Sequence, residues 1–272
     1  YLNNYIRVLD QMMNGAALIT GAGTRIGRQI ALSLAEQGIN IVVHYSTSVK
    51  EAEEVIDEAK LFGVKAFPVK ANLLNDNEVK SVVSSAVSQL KQPLDILVNN
   101  ASIFEYDNME TVSIESWDRH MGSNLKAPLF LMQAFAKQIG PTKQDDLGEN
   151  MPTGNIVNIV DQRVLKKTPE FLTYTLAKMG LWSLTQTAAQ ALAPRIRVNA
   201  IGPGPTLKGY RQTDDHFNKQ RKSTILERGA SANEIAEALK FILRTSSITG
   251  QLICIDGGQH LAWKTIDILG AE

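Results

Sequence analysis

The sequence predicts a single three-layer α/β domain built on a seven-stranded parallel sheet. Three observations point there. Short apolar runs alternate with helical patterns along the chain. The runs are apolar at successive positions, so both faces of each strand must be covered, as in parallel sheets flanked by helices. The length, 272 residues with no repeat, linker or second core, suits one full domain of this class.

The first strand, residues 16–20, is Ala16-Ala17-Leu18-Ile19-Thr20. It runs into Gly21-Ala22-Gly23-Thr24-Arg25-Ile26-Gly27, which opens a helical pattern over 25–36 carrying Ile30, Leu32 and Leu34. Strand, glycine turn and helix in this order let a backbone approach a pyrophosphate, with helix N–H groups aimed at the anion. Strands at 40–45, 65–70, 95–99, 155–160, 197–201 and 252–255 alternate with helices at 49–61, 76–90, 114–138, 172–192 and 232–243. Within 114–138 the apolar positions include Trp117, Met121, Leu125, Leu129 and Met132. Pro128 has no N–H for the carbonyl of Asn124, so the helix is predicted to kink there and to free a carbonyl that can hold a water. Two segments break the rhythm. Residues 140–154 are polar, carry Pro141, Gly148 and Pro152, and read as a surface loop; 203–228 fall where α/β folds place substrate-covering elements. In open parallel sheets ligands bind beyond the carboxyl ends of the strands.

Composition excludes several classes. Basic and acidic residues balance at 28 each, so no basic surface argues for nucleic acid. No apolar run approaches the ~18 residues of a membrane span. The single cysteine, Cys254, lies in Leu252-Ile253-Cys254-Ile255 and is expected to be a buried, reduced thiol, which favours a cytoplasmic setting. Residues 1–11 lack the apolar core and small-residue cleavage site of a signal peptide. They read as an N-terminal extension to a domain over 12–272, with Met12 or Met13 as the natural start. No metal is implied.

Chemistry concentrates at strand ends. Tyr174 and Lys178 stand four apart on one helix, hence on one face. The lysine charge favours phenolate, which predicts a tyrosine pKa below the usual ~10 and a phenol able to give up a proton near neutral pH. Asp161 ends the strand at 155–160, where it serves either a substrate or, more plainly, as a cap of the next turn. His44-Tyr45-Ser46-Thr47-Ser48 ends the second strand without the acidic residue that would hold an adenosine 2′-hydroxyl. Hydroxyls, His44 and Arg25 can surround a 2′-phosphate instead, so NADPH is favoured over NADH.

The glycine turn resembles the TGxxxGxG of the short-chain dehydrogenases/reductases, with Arg25 where the middle glycine is usual. That arginine, with Asp161, Tyr174 and Lys178, is similar to the pattern of the pteridine and dihydromonapterin reductases. The resemblance runs from Gly15 to about His260 and implies a Rossmann-type fold. It implies that Gly21, Arg25, Ile26, His44, Tyr45, Ser46, Asn100, Ala101, Lys178 and Gly204 hold the cofactor, with Lys178 on the nicotinamide ribose. Asn99-Asn100-Ala101-Ser102 resembles the family's NNAG, with serine for glycine; Phe104 stands where pteridine reductases carry an aromatic that sandwiches the pterin. The resemblance makes Asp161, Tyr174, Lys178 and Asn124 catalytic, Asn124 through a water relay. It makes Arg25, Ser102, Phe104, Asp161 and Tyr174 the substrate contacts. Where ketone-reducing relatives keep serine, Asp161 can accept from a pterin's amino group and ring N–H, or donate if protonated. Thr47 replaces a usual arginine and Asn72 a usual aspartate, which weakens the phosphate and adenine contacts. The implied activity is reduction of a dihydropterin or dihydrofolate, in a homotetramer assembled through the helices of Asn124 and Tyr174. Two other readings stay open: a ketone or 3-oxoacyl reductase of the same family, opposed by Asp161, and a non-catalytic NADP-sensing protein, opposed by the intact Tyr174–Lys178 pair.

Overall fold

The structure, a computed structural model, describes residues 15–263; the predicted extension at 1–11 and the last residues, 264–272, lie outside the described residues. Seven strands form one parallel sheet: β1 (Ala16–Ile19), β2 (Asn40–Tyr45), β3 (Ala66–Lys70), β4 (Ile96–Asn99), β5 (Gly154–Ile159), β6 (Ile196–Pro203) and β7 (Leu252–Ile255). Their order is β3-β2-β1-β4-β5-β6-β7, so the chain reverses direction across the sheet between β1 and β4. Such a switch point opens a crevice at the carboxyl ends of the strands.

The described residues form eight helices: α1 (Arg25–Ala35), α2 (Val49–Lys60), α3 (Asp76–Leu90), α4 (Ile114–Met121), α5 (Ala127–Gln138), α6 (Leu172–Leu192), α7 (Asp214–Lys222) and α8 (Ala232–Arg244). Strand residues alternate between two cores, as the two-residue period requires. Ile19, Ile41 and Val43 pack with Ile30, Leu34, Val55 and Leu239 of α1, α2 and α8. Leu18, Val42 and Leu97 pack on the other face with Val82, Leu131, Phe135 and Ala188 of α3, α5 and α6. The helices are stopped and started by local chemistry. Asn75 accepts from the N–H groups of Asn77 and Glu78 at the start of α3, and Ser231 with Glu234 forms a reciprocal box at the start of α8.

The sequence-based elements hold with ends moved by a residue or two, apart from four differences. The helix expected over 114–138 is broken. A π turn (Gly122–Lys126) separates α4 from α5, with the Ala127 N–H donating to the Gly122 carbonyl five residues back. Widening the turn is the backbone's way of absorbing a missing proline N–H. The loop at 140–154 contains a small antiparallel pair, Lys143–Gln144 with Asn150–Met151. The irregular stretch after β6 contains α7, which buries none of its residues. Finally, Cys254 is half-buried, because β7 is an edge strand and all of it is partly exposed. Desolvation, with the charges of Asp256 and Asp161, still pushes its thiol up to about 12.

Candidate active site

The site is assembled where β1 meets β4. Thr20 is buried at the end of β1, and its hydroxyl accepts from the N–H groups of Asn100 (2.9 Å) and Ala101 (3.0 Å) while facing the Val98 carbonyl at 3.3 Å. The Asn100 amide donates back to the carbonyls of Thr20 (2.8 Å) and Gly21 (3.1 Å). Gly21 has φ +62°, and a Cβ there would stand 3.0 Å from the Ala101 backbone, so the turn tolerates no side chain. Asn100 and Ala101 thus hold the glycine turn in place. Ile26 and its neighbours begin α1 with no side-chain cap and no acid in the first turn, unlike α3 and α8. Open N–H groups at an uncapped helix start suit an anion.

Arg25 adopts φ +55°. A left-handed backbone disfavours a side chain by about 1–2 kcal/mol, which explains why glycine is usual there. Its side chain reaches over the crevice and donates to the carbonyls of Leu207 and Lys208, each at 2.9 Å. It therefore ties the glycine turn to the loop that follows β6. Gly204 starts that loop with its N–H on the Ile255 carbonyl at 3.0 Å, and a Cβ would meet Asp256 at 2.6 Å.

His44 differs from expectation. It does not face outward toward a 2′-phosphate; it is buried beneath the turn, 2 % exposed. Nδ1 accepts from the Gly21 N–H at 3.1 Å, which leaves Nε2 to carry the hydrogen toward the Ala71 carbonyl at 3.1 Å. Burial lowers its pKa to about 4, against the smaller opposing pull of the Ala71 carbonyl. A neutral strut offers no charge to a phosphate. Ser46 and Thr47 remain exposed and Tyr45 half-exposed at the strand end.

The structure brings Asp161, Tyr174 and Lys178 together. The Tyr174 hydroxyl donates to Asp161 Oδ2 at 2.9 Å, and the Asp161 Oδ1 accepts from the Arg163 N–H at 2.8 Å. The aspartate therefore caps the short turn Gln162–Val164 with one oxygen and meets the phenol with the other. Desolvation raises the Asp161 pKa, opposed by the Arg163 N–H and by nearby cations. The expected depression of Tyr174 by lysine is overturned. Burial first, then the Asp161 carboxylate, pushes the phenol well above its ordinary range. The reason is geometric: the Lys178 ammonium donates to the Ile159 carbonyl at 2.8 Å and lies 5.8 Å from the Tyr174 ring centroid. Burial brings Lys178 itself down to about 8, with Asp161 opposing. Ser102 also stands within reach of the phenol.

Asn124 is fully buried, and its side chain is spent on the loop after β4. Oδ1 accepts from the Ile103 N–H and Nδ2 donates to the Ile103 carbonyl, both at 2.8 Å. That clamp sets the direction of Phe104. The Phe104 ring stacks on Phe171 at 4.4 Å and 11°, and meets Tyr174 edge-on at 4.6 Å.

Several functional positions escaped the sequence reading. Phe171, the stacking partner, sits 67 positions from Phe104 and carries no local mark beyond preceding a helix. Behind it lies a buried polar chain. The Thr173 hydroxyl donates to Asp107, His120 Nδ1 faces that hydroxyl at 2.7 Å, and His120 Nε2 accepts from the Glu105 N–H at 3.1 Å. This chain locks residues 105–107 onto the start of α6, and with them the walls of the crevice. One signal was available: an arginine in a glycine's place announces a positive φ.

A family model described as enoyl-(acyl carrier protein) reductase matches residues 21–260. A 3-oxoacyl-[acyl-carrier-protein] reductase, FabG, of Staphylococcus epidermidis is 34% identical over 254 residues, covering 92% of this chain and 100% of that protein. The chain belongs to the short-chain dehydrogenase/reductase family of oxidoreductases. Among solved structures, FolM alternative dihydrofolate reductase 1 from Brucella canis, complexed with NADP, is 41% identical with a TM-score of 0.87, over 95% of this chain and 98% of that one. The angucycline C-6 ketoreductase LanV, with bound NADP, is 29% identical with a TM-score of 0.83, over 93% and 98%. Among the described residues no helix is long and apolar enough to cross a membrane.

The buried His44 fixes a pH dependence of stability. Its pKa is about 4 folded, against an unperturbed value near 6.5 in the unfolded chain. Between these values the unfolded state holds the extra proton, so stability falls as pH drops from about 6.5 to 4. The shift corresponds to a loss on the order of 3 kcal/mol. Urea unfolding of wild type and His44→Asn across this range checks it. The variant should be less stable at neutral pH and show a flatter slope below it; an unchanged slope would remove His44 from the linkage.

Proposed function

We propose that the protein reduces a pterin with NADPH, taking a 7,8-dihydropterin or dihydrofolate to the tetrahydro form. The observation that carries this reading is Asp161 Oδ2 on the Tyr174 phenol at 2.9 Å, at the place where ketone-reducing relatives keep serine. A carboxyl group there matches the amino and ring N–H donors of a pterin, whereas an ionised one gives nothing to a ketone oxygen. The likeness to two Brucella proteins titled alternative dihydrofolate reductase, at 41% and 42% identity, supports it.

The residues suit the cofactor. The uncapped start of α1 offers N–H groups to the pyrophosphate, and exposed Ser46 and Thr47, with no carboxylate beside them, leave room for a 2′-phosphate. Arg25 and Lys178 would hold the phosphates and the nicotinamide ribose. When bound, NADPH supplies the hydride. The protein's own part is orientation and proton supply. Asn124 and the Asp107–Thr173–His120 chain fix the loop and helix that carry Phe104, Phe171 and Tyr174. Phe104 presents an aromatic face to a flat substrate; stacking of this kind adds about 0.5–1.5 kcal/mol beyond area. Asp161, whose carboxyl group burial pushes toward the protonated form, gives a proton to the ring nitrogen and regains it from solvent, while the Tyr174 phenol stays neutral and donates a hydrogen bond to the carboxylate left behind. The Lys178 ammonium offsets the negative charge left on Asp161. Most of the rate gain comes from positioning and from electrostatic stabilisation of charge as it forms. Exposed Trp117, Leu129, Phe130 and Leu176 on α4 to α6 support assembly through these helices. The likeness to FabG favours a second reading, reduction of a 3-oxoacyl thioester.

Two measurements test the proposal. NADPH should bind more tightly than NADH, and Ser46→Asp should move the preference toward NADH by repelling the phosphate; fluorescence titration reads both, and equal affinities in wild type contradict the assignment. Asp161→Ser should lower kcat/KM for a dihydropterin ten- to a hundredfold, roughly the effect of leaving one or two polar groups unpaired. The same variant should leave an activated ketone's turnover unharmed. If both substrates fall together, Asp161 acts only as the cap of its turn.

A further inference from the structure

The mouth of the crevice carries two arginines that feel nearby acids, Asp161 and Glu105, but close no ion pair with them. Arg28, Arg119 and Arg228 each pair with a carboxylate elsewhere on the surface. Arg163 and Arg211 make no ion pair among the described residues, in a chain whose charges balance overall. Both sit on the aromatic pair beside the proton donors. The Arg163 guanidinium lies 5.0 Å from the Phe171 centroid, and Arg163 is the middle residue of the turn that Asp161 caps. The Arg211 guanidinium lies 5.2 Å from the Phe104 centroid and 5.5 Å from that of Phe171. Those rings stack only 4.4 Å apart, so near-equal distances place Arg211 beside the stack rather than over an outer face. Ring edges carry partial positive charge, and a cation prefers the face. Stacking attraction therefore does not explain why Arg211 stands there. Its hydrogen bonds, to the Phe104 carbonyl at 2.8 Å and the Tyr210 hydroxyl at 2.7 Å, fix its position without a carboxylate partner; Glu105 acts on it only at longer range.

The order of groups along the crevice describes a ligand. Asp161 and Tyr174 lie innermost, Phe104 and Phe171 form a face-to-face aromatic pair beside them, and Arg163 and Arg211 stand against that pair, Arg211 on the exposed side. Exposed Tyr106 and Tyr210 continue the aromatic surface outward. A reducible ring, an aryl linker and a carboxylate follow the same sequence. Planar guanidinium groups match carboxylates through paired N–H donors.

We propose that Arg163 and Arg211 form a carboxylate subsite, so that the preferred substrate is a pterin bearing an aryl-linked glutamate, a dihydropteroylglutamate, over a pterin with an uncharged side chain. This rests on the pterin reading above and narrows it to one substrate class. The subsite acts on binding of the tail and leaves hydride and proton transfer to the inner groups.

The test compares wild type, Arg163→Gln, Arg211→Gln, the double variant and Arg211→Lys. Dihydrofolate and an uncharged dihydropterin are assayed with NADPH at low and high salt. The double variant should raise KM for dihydrofolate about tenfold, the loss of charge-assisted hydrogen bonds, with kcat held. KM for the uncharged pterin and the Kd for NADPH should stay within about twofold, a bound set well below that expected loss. Arg211→Lys should keep part of the preference, and high salt should erode it in wild type. Parallel loss for both pterins makes the arginines structural, no change makes them spectators, and a weakened NADPH makes them cofactor contacts; each overturns the subsite. Calorimetric binding of p-aminobenzoylglutamate with NADP present separates this from the broader reading. If wild type reduces no pterin, the proposed function fails and fragment binding alone decides the subsite. If pterins are reduced but the fragment binds wild type and double variant alike, or neither, the subsite fails and the function stands.

Discussion

The site depends on one hydroxyl. Thr20 closes the gap between β1 and β4 by accepting two backbone N–H groups from the opposite side of the switch point. That contact brings Gly21 against Ala101 and lets Asn100 reach back to the turn. The anion-binding turn and the loop leading to Phe104 are thereby held in one register. Everything downstream, from Arg25 bridging to Leu207 to the clamp of Asn124 on Ile103, presumes that the two strand ends do not slide apart. A buried hydroxyl with its partners in place is stiff, because each partner left unpaired would cost about 1–3 kcal/mol.

The second constraint is electrostatic. Asp161, Tyr174 and Lys178 share a desolvated corner, and desolvation pushes all three toward their neutral forms. In most arrangements of tyrosine and lysine on one helix face, the ammonium would draw the phenol down. Here the lysine is held by the Ile159 carbonyl and the carboxylate stands nearer, so the phenol is pushed up. A carboxyl group raised toward neutrality beside a phenol forms a local proton store. On the proposed reading it would serve a ring nitrogen, which gains a proton while its neighbouring N–H groups need acceptors.

Much of this was legible in the chain. Periodicity gave the strand order's raw material, and the Gly21–Gly27 turn, the Tyr174–Lys178 spacing and Asp161 at a strand end marked the site. What the sequence hid was direction and distance. His44 was placed with the cofactor because it lies at a strand end, but period-two alternation turns its ring under the sheet edge. The sign of the Tyr174 shift depended on which charge stood closer, which spacing along one helix does not contain. Pro128 announced a break, and only the backbone's hydrogen bonds show it as a π turn. Arg163 and Phe171 share the connection before α6 and Arg211 comes from the one after β6, and such connections carry no period to betray which way they face.

The central claim, that the carboxyl group at Asp161 makes this family member a pterin reductase, is tested most directly by a substrate panel on the wild-type protein. NADPH oxidation would be followed with an uncharged dihydropterin, dihydrofolate, an activated ketone and a 3-oxoacyl thioester. The account predicts that the pterins exceed the carbonyl compounds in kcat/KM. Turnover of the thioester with both pterins inert would contradict it.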